Sequence, residues 1–83
     1  MERAILAVRD DVVLSAFYEN PHEAHKAIKK SLHKRLKSGW LSTSDQITVV
    51  ITDASGYFTS CPQIFPGYYR KTLSVSEYLA ENP

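Results

Sequence analysis

Six of the ten Lys and Arg residues in this 83-residue chain fall between positions 26 and 37: Lys26, Lys29, Lys30, Lys34, Arg35 and Lys37. No acidic residue occurs from Ala24 to Ser44, so a net charge of only +1 hides a polarised molecule. Such a run is an electrostatic footprint for phosphate backbones or for an acidic protein surface. The plainer structural reading is a solvated helix face, with lysines serving solubility and helix propensity. Like charges four residues apart, at Lys26/Lys30 and Lys30/Lys34, cost roughly 0.2–0.5 kcal/mol each. Interleaved glutamates would remove that cost, and none is present.

A second candidate is the segment Gln-Ile-Phe-Pro-Gly-Tyr-Tyr-Arg-Lys at positions 63–71. Tyr68 and Tyr69 followed by Arg70 and Lys71 have the chemistry to stack unpaired bases and hold their phosphates. In an extended segment adjacent side chains point to opposite faces, so the two tyrosines do not share one platform and one of them is expected to pack. Tyr and Arg are equally favoured at protein interfaces. His22 and His25 are three residues apart in one helical turn, near enough for two metal ligands. A metal site needs three or four, so they read as polar helix residues and no metal is expected. The lone cysteine, Cys61, reads as a small hydrophobe beside Pro62.

Val49–Phe58, Val-Val-Ile-Thr-Asp-Ala-Ser-Gly-Tyr-Phe, locally resembles the first catalytic strand of ribonuclease H-like enzymes, where an Asp at a strand end binds metal. Those enzymes need further carboxylates to hold two metal ions. After Asp53 only Glu77 and Glu81 follow, so Asp53 is read as a turn residue accepting nearby backbone N–H groups. Glycines at 39, 56 and 67 are too scattered for a phosphate loop, and no dinucleotide fingerprint or zinc-ligand pairing occurs. No cofactor is expected.

The elements that must position these residues follow from patterning. A mass of 9.4 kDa and 43% hydrophobic content suit one globular domain over residues 1–83 and argue against a two-lobed enzyme. One cysteine excludes a disulfide scaffold, and the longest apolar run, Ala4–Val8, is far short of the roughly 20 residues of a membrane span. A cytoplasmic location is the expectation. Ala4–Val8 and Val12–Tyr18 read as a hairpin across Arg9-Asp10-Asp11. Because Val12–Tyr18 is apolar on both faces, it is predicted to be a central strand. Asn20-Pro21-His22-Glu23 supplies a cap, an N-terminal proline and capping-box spacing for a helix ending near Ser38 at Gly39. Ala24, Ile28, Leu32 and Leu36 form its apolar stripe. Lys26, Lys30, His33, Lys34 and Lys37 fall opposite that stripe, Lys29 lies on the flank, and Arg35 lies near the seam.

Trp40 and Leu41 are read as anchors of the connection to a second hairpin, Ile47–Thr52 with Tyr57–Cys61 across a turn at Asp53–Gly56. Tyr68–Leu73 is a candidate fifth strand, and Ser74-Val75-Ser76-Glu77 opens a short helix. The sum is an α+β domain: an antiparallel sheet of four to five strands covered on one face by a long amphipathic helix, with a short C-terminal helix. The expected function is that of a small non-enzymatic inhibitor or adaptor acting on a protein partner with an acidic or nucleic-acid-binding surface. Lys26, Lys29, Lys30, His33, Lys34, Lys37, Tyr68, Arg70 and Lys71 are its contact residues. Size and class match phage or mobile-element antagonists of host nucleic-acid machinery, of the anti-CRISPR or anti-restriction type. The alternative is direct nucleic-acid binding by the same residues, which net charge +1 and a pI near 7.9 disfavour. A homodimer through an edge strand would double either surface.

Overall fold

The computed structural model of the chain describes residues 1–53 and 69–83. The described elements are β1 (Glu2–Val8), β2 (Asp11–Tyr18), α1 (Pro21–Ser38), β3 (Gln46–Asp53), β4 (Tyr69–Ser74) and α2 (Val75–Glu81). Among the described residues the four strands form one antiparallel sheet in the order β2-β1-β3-β4. This is the α+β class read from the sequence.

The first hairpin turns in two residues, not three. Asp11 already pairs with Val8, and Arg9 and Asp10 take φ of 52° and 70°. Positive φ at both central positions matches the right-handed twist of the flanking strands, which is why hairpins favour this turn. The register then slips between Leu6 and Ala7, so Leu6 faces Leu14 while Ala7 faces Val12. Val13 is the extra residue of a β-bulge.

That bulge explains a correction. Among the described residues Val12–Tyr18 is an edge strand, and β1 is central, paired on its two sides with β2 and β3. The apolar character of both faces of β2 does not mark burial on both faces: Val12 and Phe17 remain 62% and 58% exposed. The pairing of β3 is described on both sides. From Ile47 to Ile51 β3 pairs with β1 on one edge and β4 on the other, and the expected strand Tyr57–Cys61 lies outside the described residues. The described order is therefore hairpin, helix, strand, strand, helix, and β4 is the fourth strand.

Helix α1 forms as its residues dictate. Asn20 Oδ1 accepts the Glu23 N–H at 2.9 Å, Pro21 occupies the first turn, and Gly39 closes the helix at φ 82° with its N–H on the Leu36 carbonyl. Only a residue at ease in the left-handed region suits that last position. Ala24, Ile28 and Leu32 are buried, and α1 packs against β1 and β2. Alternation along the strands adds Ala4, Leu6 and Val8 from β1 and Ile47, Val49 and Ile51 from β3 to the same core. Leu73, Val75 and Tyr78 complete it beside the capping box of α2, in which Ser74 and Glu77 satisfy each other's backbone N–H groups. Leu41 is buried, whereas Trp40 is 46% exposed, so only one of the two expected anchors is inside. None of the described helices is long and apolar enough to cross a membrane.

Two stability measurements check this packing. Leu32→Ala should lower unfolding free energy by about 2–5 kcal/mol in denaturant titration, because it empties a fully buried site. Asp10→Gly should raise it by about 0.5–1 kcal/mol, since glycine adopts the positive φ without steric cost.

Candidate interaction surface

Rotation of α1 is fixed by its buried stripe, and the charges follow. Lys26, Lys30, His33, Lys34 and Lys37 are all exposed on the side opposite Ala24, Ile28 and Leu32. Among the described residues none of these four lysines forms an ion pair. The carboxylates that do pair are Glu2, Asp45 and Glu81, with the N-terminus, Arg9 and Lys71. The ridge spans twelve residues from Lys26 to Lys37, about 16 Å along the axis.

One flank of the ridge meets α2. His25 Nδ1 and Tyr78 Oη lie 2.7 Å apart, and the His25 ring meets Tyr69 edge-on with centroids 4.8 Å apart. Burial holds the His25 imidazolium below its ordinary pKa, helped by the positive charge of Lys29 and by His22. Burial likewise pushes the Tyr78 phenol well up, with Tyr69 adding to the effect. A neutral imidazole and a neutral phenol thus share one hydrogen bond between the helices. Farther along, Lys29 is half-buried and its Nζ donates to the Pro83 carbonyl at 3.0 Å. Between these contacts and the ridge lies an open depression of about 570 Å³. Lys26, Lys29, Lys30 and His33 line it on one side, and Leu79, Asn82 and Pro83 on the other.

The remaining predicted contacts are dispersed. Arg70 pairs with Val50 in the ladder and therefore points to the sheet face opposite the core and α1. Lys71 is on the core-side row, but its Nζ donates to Glu81 Oε1 at 2.8 Å, and that bond raises its pKa. Tyr68, like Cys61, lies outside the described residues. Tyr69 is the packing tyrosine, half-buried against His25 and Tyr78. Arg35 behaves as its seam position implies: its Nη2 donates to the Val13 carbonyl at 3.4 Å and its guanidinium stands 5.4 Å from the Trp40 ring centroid. Arg9 covers the same ring at 4.7 Å and bonds the Trp40 carbonyl at 2.9 Å. Among the described residues no three His, Cys, Asp or Glu side chains gather as a metal site would require.

Sequence reasoning did not find the groove wall. Leu79, Asn82 and Pro83 carry no motif; only the docking of α2 beside α1 makes them neighbours of the lysines. Comparison with models of known protein families, with curated proteins and with solved structures finds no match.

The His25 junction predicts a pH dependence. Its pKa is lowered on folding, so below about pH 6.5 the unfolded chain binds the proton more readily and stability is lost as pH falls. Unfolding free energy should therefore decline between pH 7.5 and 5.5, and His25→Asn should flatten that segment of the profile.

Proposed function

We propose that this chain is a small non-enzymatic binding protein, an inhibitor or adaptor that docks the basic ridge of α1 onto an acidic surface of a protein partner. The carrying observation is the exposure, on one stripe, of four lysines with no ion-pair partner among the described residues. The mutual repulsion of Lys26, Lys30 and Lys34 is relieved when carboxylates from outside approach. In this reading α1 covers one face of the sheet with its apolar stripe and turns the opposite stripe outward.

The adjoining depression supports a protein partner over a nucleic acid. Leu79 and Pro83 line an apolar strip beside Lys26, Lys29 and Lys30, suited to an apolar side chain flanked by Asp or Glu. The bases that would have extended a phosphate track are elsewhere, Arg70 on the other sheet face and Lys71 on Glu81. The setting we propose is the cytoplasm, where a single cysteine stays reduced.

Affinity capture from native lysate, with and without nuclease, tests the reading. A protein should remain bound after nuclease, and the Lys30→Glu/Lys34→Glu double variant should lose at least about tenfold in affinity with its circular dichroism unchanged. Capture that nuclease abolishes would make this a nucleic-acid binder. Capture that survives the double reversal would remove the ridge from the interface.

A further inference from the structure

Among the described residues the two outer strands of the sheet, β2 and β4, are guarded very differently. β4 exposes adjacent Arg70 and Lys71, and charged side chains discourage further strand pairing. β2 reads Val-Val-Leu-Ser-Ala-Phe-Tyr from Val12 to Tyr18, without a charge, glycine or proline. Ser15 is exposed and Phe17 is 58% exposed. At one end Arg35 occupies the Val13 carbonyl at the bulge. Along Leu14–Tyr18 the one charged contact is on the outer face, where Arg3 Nη2 donates to Ser15 Oγ at 3.4 Å, and among the described residues no strand lies along its backbone edge.

Above this edge, α1 runs antiparallel to β2: it starts just beyond Tyr18 and its Arg35 reaches back to Val13. The α1 flank carrying His25 and Lys29 meets α2. The other flank carries Glu23, Ala27, Ser31 and Lys34, which successive steps of four, four and three residues keep on one stripe. Two small side chains thus stand between a carboxylate and an ammonium.

We propose that Leu14–Tyr18 pairs antiparallel with the same segment of a second copy of this chain, about a two-fold axis at Ala16, giving a continuous eight-stranded sheet. In that register Tyr18 faces Leu14 of the second copy on the core side, Phe17 faces its Ser15 on the outer side, and no charges meet. Strands about 4.8 Å apart bring the two α1 helices, each over its own β1–β2 pair, to about 10 Å, a helix-contact distance that Ala27 and Ser31 accommodate. Ala16 is three strand residues from Val13, about 10 Å, which corresponds to about seven helical residues from Arg35 and falls at Ile28. An axis at that level sets Glu23 of each copy against Lys34 of the other, because the two stand five and six residues to either side of Ile28. Self-complementarity of strand, small-residue flank and charge all point to the same partner. The dimer lays two ridges side by side and shares Lys34 with them, so Phe17→Lys, which leaves every ridge lysine in place, separates dimerisation from ridge binding.

Light scattering coupled to size exclusion, across micromolar to millimolar concentrations of the full chain, tests this. The wild type should have twice the 9.4 kDa mass, and Phe17→Lys should return it to 9.4 kDa with unchanged circular dichroism. Glu23→Lys creates two symmetry-related like-charge pairs and should weaken dimerisation by about tenfold. Adding Lys34→Glu to Glu23→Lys should restore the wild-type dissociation constant, a rescue that a role within one copy would not give. A wild type that stays at 9.4 kDa throughout, or a dimer that Phe17→Lys and Glu23→Lys leave unchanged, overturns the proposal.

Discussion

Every outward face of α1 depends on one contact: the stripe of Ala24, Ile28 and Leu32 on the β1–β2 hairpin. All three residues are fully buried, as are Ala4, Leu6 and Val8 of the strand beneath. Burying a side chain such as Ile28 or Leu32 is worth about 1.5–3 kcal/mol, while each lysine repulsion on the far side costs only a few tenths, roughly 0.2–0.5 kcal/mol. Packing wins by a wide margin and leaves α1 no rotational freedom. A helix held at that angle has to expose Lys26, Lys30, Lys34 and Lys37.

The same contact aligns the flanks. Because Leu32 points into the core, His25 and Lys29 turn toward α2 and Ala27 and Ser31 turn toward the outer side of β2. The α2 flank is closed by the Tyr78–His25 hydrogen bond and the Lys29–Pro83 contact, which build the wall of the depression. On the β2 side, Arg35 is the one polar tie from helix to strand among the described residues, and it lies at the bulge. One fixed rotation thus sorts a single helix into a buried stripe, a ridge, a groove edge and a small-residue flank.

Much of this was legible in the sequence because it is local. Asn20, Pro21 and Gly39 mark α1 through cap chemistry, the 3.6-residue period marks its buried stripe, and Ser74 with Glu77 marks α2. Exposure of the ridge follows from the same period. What failed depends on pairings between distant segments. The apolar residues on both faces of β2 suggested a central strand, but the bulge at Val13 and the exposure of Phe17 belong to an edge. Among the described residues β3 pairs with β4, which begins sixteen residues farther along the chain, a distance that local patterning does not span. Arg70 left the candidate site for a period-two reason, since it pairs with Val50 on the far face. His25 reads from the sequence as a polar helix residue, and its partner Tyr78, fifty-three residues away, carries no local signal.

The central claim is that the α1 ridge meets an acidic partner surface, and lysine-selective acetylation read by mass spectrometry tests it most directly. In the free chain Lys26, Lys30, Lys34 and Lys37 should all react, and in the captured complex they should be protected as a set. Lys71, bonded to Glu81 away from the ridge, should react equally in both states. Ridge lysines that stay as reactive in the complex as in the free chain would contradict the account.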